Sequence, residues 1–533
     1  MIDVGLIQKA INLAQQGKFE EAGEIYANLL KDYPDDYNLL SCVGLYYVQT
    51  KDYIKASEYL EKACSIKETF GTVSALGLAE YERGNYGKAA LFLEKSLEYG
   101  ENVDIYNKLC NCFFDLECYK KAVEYSEKMF ERYPDDIRAI TNKIKALTQS
   151  GSMLEAESLC IETLKKDPMA ASSLWLQLGY LKELIYHDDM RAVECYKAAT
   201  ELDNPNGYYN MAVSYQKLEN YELAEKYFKK MLEFFPDDRM VKIALGMCYM
   251  AQKKFKEGYD LFFLRDKEYG YQEGQNGWQP GDELSGEVVV LCDQGLGDHI
   301  QFARYLPILA EKVDKIYLAS RLPLKTLFEK NYPFTEFIES KDVDLKMKAL
   351  RICDLAYILN LDFDHIPFAE GYLNSETAEI KSDKLKVGLC WEAGAAGIRT
   401  MINRTINVKS FEPVLNLEGV QFYSLQCNDT FNGVELYPQM IDLAKDLKDF
   451  SDTAKAIKAM DVVVTVDTSV AHLAGALGVK TFLLLPYATD WRWFKDRKRT
   501  PWYDSVEIFK QTNSLCWDEQ MKEIAEKLNS LKN

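Results

Sequence analysis

The chain has 533 residues, 47% hydrophobic and 28% charged, with a formal net charge of -19. That length exceeds what one core organises, so two to four domains are expected, and the acidic balance argues against a broad phosphate-backbone binder of nucleic acid. No apolar run reaches the roughly 18–20 residues needed to cross a bilayer.

The N-terminal "MIDVGLIQKAINLAQQGKFEEA" is acidic where a secretory signal would be basic. Thirteen scattered cysteines and only four histidines (His187, His299, His365, His472) suggest a reducing cytoplasm and no zinc site. The first half of the chain repeats itself. Alanines recur at Ala22, Ala56, Ala89, Ala122, Ala156, Ala192 and Ala224, and a proline closes four units at Pro34, Pro134, Pro168 and Pro236. An eighth unit begins near Arg239, with Gly246 and Tyr249 in phase. A period near 34 with small residues at the helix crossing and proline at the end resembles the tetratricopeptide repeat, a helix–turn–helix unit. Such units bury their apolar faces only by stacking, so an all-α superhelix with a concave face is expected over residues 1–268. That face suits a protein partner or self-association as a homodimer, and both stay open.

Residues 269–286 are rich in glycine and polar side chains and read as a linker. The rhythm then changes. "EVVVLCD", "KIYLAS", "FTEFIES", "KVGLCW", "VQFYSLQC", "DVVVTV", "TFLLLP" and "VEIFKQ" are short apolar strands separated by helical segments. They predict two doubly wound α/β domains, 287–383 and 384–533, with parallel sheets covered on both faces and ligands outside the carboxyl ends of the strands.

Two loops carry chemistry. In "CDQGLGDHIQFARYLP", Gly295 and Gly297 allow a sharp strand-to-helix turn, and Asp298 is either a helix cap or a base aimed into a cleft, with His299 beside it. In "DVVVTVDTSVAHLAGALG", Asp467, Thr468 and Ser469 open a helix whose free N–H groups and dipole suit a phosphate. His472 lies one turn on, where it points at the same anion or braces the next loop. "WEAGAAG", starting at Trp391, and Gln426 in "SLQCND" follow two further strands, and Gln426 is placed to meet a base or ribose. Asp490, Arg492 and Trp493 follow "TFLLLP", bordering a ligand or locking an interface.

Together "QGLGDHIQFARYLP" and "VDTSVAHLAGALG" resemble glycosyltransferase family 9, which includes the heptosyltransferases of lipopolysaccharide cores. "DWRWFKDRKRTPWY" resembles the variant in bacterial proteins that join tetratricopeptide repeats to such a transferase, some of which modify flagellin. The arrangement is also similar to the protein O-GlcNAc transferases. The resemblance implies a GT-B fold with two Rossmann-like domains, acceptor on the first and nucleotide-sugar on the second. It implies inverting, metal-independent transfer, with no cofactor beyond the nucleotide-sugar. Asp298 matches the family's catalytic base, while Thr468 and Ser469 match the phosphate-holding positions. Glycine commonly stands where this chain has Ser469, and lysine where it has Arg404, the basic residue that would reach the phosphates.

The expected function is transfer of a sugar to a hydroxyl of a protein acceptor held by the repeats, flagellin being one candidate. The alternatives are a catalytically idle scaffold that binds nucleotide or partner, a transferase acting on lipopolysaccharide or another glycan, and a nucleotide-sugar epimerase or hydrolase.

Overall fold

The computed structural model describes residues 2–169, 171–265, 278, 281–343, 347–361, 366–394, 404–427, 433–494, 498–512 and 516–532. Most of the expected 269–286 linker, the end of the 391–397 loop and His365 lie outside them. The chain forms two compact units, Met1–Gly207 and Tyr208–Asn533. Among the described residues no helix is long and apolar enough to cross a membrane.

Sixteen described helices precede the first strand, in eight hairpins. They are α1 (Val4–Gln15) with α2 (Phe19–Asp32), α3 (Tyr37–Gln49) with α4 (Tyr53–Ile66), α5 (Phe70–Glu82) with α6 (Tyr86–Ser96), and α7 (Val103–Asp115) with α8 (Tyr119–Arg132). The series continues with α9 (Ile137–Gln149) and α10 (Met153–Lys166), α11 (Ser172–Tyr186) and α12 (Asp189–Glu201), α13 (Asn206–Lys217) and α14 (Tyr221–Phe234), and α15 (Arg239–Ala251) and α16 (Phe255–Phe262). The seven recurring alanines are fully buried. Glycines on the first helix of a hairpin let the second approach closely. A Cβ on Gly44 would sit 2.5 Å from Leu60 Cγ, and one on Gly77 2.8 Å from Leu93 Cγ. The Pro-Asp-Asp strings end one hairpin and start the next. Asp36, Asp136 and Asp238 cap α3, α9 and α15 by accepting from Leu39, Arg138 and Val241 backbone N–H groups.

Every hairpin turn contains one residue in the left-handed region. Gly17, Gly84 and Gly151 supply it in three hairpins, and Lys51, Glu117, His187, Glu219 and Lys253 in the other five. Glycine enters this region without the steric cost that an L side chain meets. At these five positions backbone hydrogen bonds close the turn, as from the Asp52 N–H to the Tyr47 carbonyl at 3.0 Å and from the Asn220 N–H to the Tyr215 carbonyl at 2.9 Å.

In the second unit, four parallel strands form a sheet of order β3-β2-β1-β4: β1 (Glu287–Leu291), β2 (Lys315–Ser320), β3 (Thr335–Glu339) and β4 (Ala349–Arg351). A second sheet has the order β10-β11-β9-β8-β5-β6-β7. Its strands are β5 (Leu385–Cys390), β6 (Val420–Ser424), β7 (Met440–Asp442), β8 (Val462–Val466), β9 (Thr481–Leu485), β10 (Arg499–Thr500) and β11 (Tyr503–Lys510). All its pairings are parallel except β10 with β11. β8 and β9 are buried along their whole length, as continuous β-branched and leucine runs require. Strand order reverses between β1 and β4 in one sheet and between β5 and β8 in the other. The loops after β1, β5 and β8 therefore open at switch points, where parallel sheets leave crevices.

Helices α14 to α16 share a hydrophobic core with both sheets, a continuous cluster that includes Phe228, Cys248, Tyr259, Val290, Phe302, Leu318, Trp491 and Tyr503. α15 packs on the short turn Trp491–Trp493. Just past α16, the buried Arg265 guanidinium donates to Asp293 Oδ2 from Nε at 2.9 Å and Nη2 at 2.7 Å, and to Asp354 Oδ1 from Nη1 at 2.5 Å. Asp293 directly follows Cys292 at the end of β1, so the last helical hairpin anchors the root of the Gly295–Asp298 loop. Arg265→Met leaves buried Asp293 without its cation and Asp354 with Arg351 alone, at 2.7 Å, and is expected to cost the second unit about 3–5 kcal/mol. Urea denaturation followed by tryptophan fluorescence reports on this unit, because Trp175 is the one tryptophan of the chain's seven outside it.

Candidate functional site

A cleft of about 350 Å³ lies where the strand ends of the two sheets meet. Gly295, Leu296, Gly297 and Asp298 line it from the loop after β1, Arg321 from the end of β2, and Ala393, Gly394 and Arg404 from the segment after β5. Asp467, Thr468, Ser469 and His472 come from the loop and helix after β8, and Asp490 and Arg492 from the loop after β9. Ten residues singled out from the sequence thus converge on one space: Gly295, Gly297, Asp298, Arg404, Asp467, Thr468, Ser469, His472, Asp490 and Arg492.

The convergence depends on close packing of two helices, α17 (Leu296–Phe302) and the helix Ser469–Ala476. A Cβ on Gly297 would lie 2.8 Å from His472 Cδ2 and 3.5 Å from the Ser469 Cα. The His472 ring cannot step aside. Its Nδ1 shares a 3.0 Å hydrogen bond with the Tyr503 hydroxyl, and the ring stacks on Trp493 with centroids 5.2 Å apart. Gly475, one turn on, lets the same helix sit on the Tyr503 ring, where a Cβ would come within 2.4 Å. Burial, reinforced by Arg492, Arg304 and Arg404, pushes His472 from its ordinary 6.5 down to about 3, so the ring is neutral.

Charge is arranged as a chain across the cleft. Asp298 Oδ2 accepts from the Gly295 N–H at 3.0 Å, closing the start of α17, while Oδ1 accepts from Arg492 Nη2 at 2.5 Å. Arg492 Nη1 donates to Asp490 Oδ1 at 2.8 Å. Arg404 lies 3.4 Å from Asp467 Oδ2 through Nε and 3.9 Å from Asp490 Oδ2 through Nη2. Burial would raise the Asp490 carboxyl, but Arg492 and Arg404 more than offset it and hold it below its ordinary value. Asp467 is raised by burial despite Arg404. Thr468 caps the Ser469–Ala476 helix, its Oγ1 accepting from the Val470 N–H at 3.2 Å.

Three residues expected at the site lie elsewhere. His299 is fully buried behind α17, its Nδ1 paired with Ser320 Oγ at 3.0 Å, and burial lowers it to about 4. The helical turn that aims Asp298 into the cleft rotates its neighbour into the core. Gln426 is spent on the backbone of the loop after β5. Its Oε1 accepts from the Trp391 and Glu392 N–H groups at 3.1 and 2.9 Å, and its Nε2 donates to the Glu392 carbonyl at 3.2 Å. Trp391 is buried against Gly433 rather than facing the cleft. Conversely, Arg321 lines the cleft and donates to the Gln294 carbonyl at 3.3 Å. Its place directly after "KIYLAS", at the carboxyl end of a parallel strand, was the available signal.

Fold and sequence define a protein whose N-terminal helical part is made of tetratricopeptide repeats, followed by an α/β region. Tetratricopeptide-repeat family models match residues 6–36, 43–70 and 205–238. The chain is 27% identical over 464 residues to protein FlbA of Caulobacter vibrioides, covering 75% of each chain. Among solved structures it is similar to a tetratricopeptide repeat protein from Parabacteroides merdae, at 18% identity and TM-score 0.41 over 46% of this chain and 97% of that one. It is also similar to a thermophilic tetratricopeptide-repeat protein of Thermus thermophilus, at 20% identity and TM-score 0.32 over 34% of this chain and 100% of the other.

Gly297→Ala is expected to force the two helices apart, costing about 1–3 kcal/mol. Thermal melts measure it, and solvent quenching of the tryptophans around His472 reports the opening. The two buried histidines also set a pH dependence. The folded chain keeps both rings neutral down to about pH 4, whereas the unfolded chain protonates them from 6.5. The unfolded state therefore binds more protons in this window, and stability falls as pH drops from 6.5 towards 4, by up to about 1.4 kcal/mol per pH unit for each ring. Melts at pH 7, 6 and 5 check the slope, which His472→Gln makes shallower.

Proposed function

We propose that the chain is a GT-B-type glycosyltransferase that moves a sugar from a nucleotide-sugar to a hydroxyl of a protein acceptor engaged by the repeats. One observation carries this reading: Asp298 faces the same cleft as a helix start flanked by Thr468, Ser469 and Arg404. A carboxylate on one wall can take the proton from an acceptor hydroxyl as its oxygen attacks the anomeric carbon. N–H groups of the opposite helix start, with guanidinium groups, can hold the charge that gathers on the departing phosphate. Inversion and metal independence belong to this proposal, as does modification before export with flagellin as a candidate acceptor. Tetratricopeptide repeats suit protein recognition, which favours a protein acceptor over a small one.

An idle nucleotide-binding scaffold is the second reading. It is favoured by the engagement of both Asp298 oxygens within the protein.

A thermal-shift screen of UDP-, GDP- and CMP-sugars on the full chain is expected to find a binder that adds about 2.7 kcal/mol at 100 times its Kd. Nucleotide release in the presence of hydroxyl-bearing protein acceptor is then expected to fall at least about 100-fold in Asp298→Ala while binding survives. Binding without acceptor-dependent release in the wild-type chain would support the scaffold. Absence of any binder would end both readings.

A further inference from the structure

The ion-pair chain crosses the cleft in one direction: Asp298 to Arg492, to Asp490, to Arg404, to Asp467. Three carboxylates and two guanidiniums leave this row with net negative charge. Arg321 also lines the cleft, outside the row, but a diphosphate beside the row itself meets three carboxylates unless one of the row's guanidiniums turns to it. The two arginines are not equally placed to do so. Arg404 pairs with Asp467 and Asp490 on the same sheet's loops, at 3.4 and 3.9 Å. Arg492 links one sheet to the other, through the 2.5 Å contact with Asp298.

Arg492 also holds unused capacity. Among the described residues its buried Nε finds no hydrogen-bond partner. Its backbone is well fixed, the Arg492 carbonyl accepting from Trp502 Nε1 at 2.7 Å, while the guanidinium lies over the Trp491 ring at 4.6 Å, a face it can slide along. Asp490 caps the turn by accepting from the Arg492 N–H at 3.1 Å. The head can therefore change partner while the loop stays in place.

We propose that Arg492 is a phosphate-binding residue that exchanges partners, pairing with Asp298 until a nucleoside diphosphate arrives and with the phosphate afterwards. The exchange rests on the transferase reading and adds an order to it. The carboxylate becomes free to accept a proton only when the cation has moved to the leaving group, so the donor binds before the hydroxyl is activated. No bond is made or broken in this step; one ion pair replaces another.

The test is a double-mutant cycle on the full chain, with UDP, GDP and CDP as probes in isothermal titration at fixed pH and salt. Asp298→Asn keeps an oxygen for the Gly295 N–H and removes the charge that competes for Arg492. It is expected to tighten binding of the preferred diphosphate about tenfold. Arg492→Met is expected to weaken it by at least as much, with Arg492→Gln taking its place if the Met variant does not fold. Loss of a nearby negative charge would by itself favour an anion, and the double variant separates that effect. With exchange, Asp298→Asn gives little further gain once Arg492 is gone. A tenfold gain that persists in the Arg492 variant overturns the exchange, and so does unchanged or weaker binding by Asp298→Asn alone. A wild-type chain that binds none of the three diphosphates removes the transferase reading itself, and the exchange with it.

Discussion

The cleft exists because α17 and the helix Ser469–Ala476 approach each other more closely than two ordinary side chains would allow. Gly297 provides the gap and His472 fills it. The histidine is in turn clamped by Tyr503 and Trp493, so the contact is rigid on one side and stripped of bulk on the other. Any wider spacing would separate the loop that carries Asp298 from the helix start that carries Thr468 and Ser469. A neutral ring suits this place, since a second proton on His472 would add positive charge beside Arg492 in a buried position.

Charged groups are buried throughout this region, and they are held in two different ways. Arg265 is satisfied by Asp293 and Asp354. Fully buried Arg304 has no carboxylate among its described contacts. It is held instead by the Gln301 and Pro367 carbonyls and by the rings of Tyr372, Trp502 and Tyr503. A guanidinium tolerates such an aromatic box because it is weakly hydrated and planar. These residues tie the loop roots to α15 and α16 below and to the segment near Tyr372 between the sheets. The final helical hairpin is therefore structurally part of the α/β region.

The ion-pair row across the cleft differs from those anchors. It is partly exposed, and the Nε of Arg492 has no hydrogen-bond partner among the described residues. Buried anchors cost several kcal/mol to break, whereas a cleft-side pair can be exchanged for a ligand that brings its own charge. That contrast is what makes Arg265 a support and Arg492 a candidate for chemistry.

The repeats were legible because their cause is local. A small residue every 34 or so positions, and a proline followed by a capping aspartate, act within one hairpin. Eight strands were legible for the same reason, as apolar β-branched runs between turn signals, while the short edge strands β4, β7 and β10 were not. Position in the cleft was readable where it follows from a place at a strand end, as for Asp298, Thr468 and Arg404. Rotation and reach were not readable. His299 and Asp298 are neighbours in sequence yet point to core and cleft, Gln426 is consumed by a backbone 34 residues away, and Lys51 occupies the turn position that glycine fills in other hairpins. Sequence alone determined the repeat helices and the longer strands in their order, since those follow from short-range sterics and periodicity. Which arginine meets which aspartate across the cleft was decided only by the tertiary structure, because ion pairing depends on distances between loops nearly 200 residues apart.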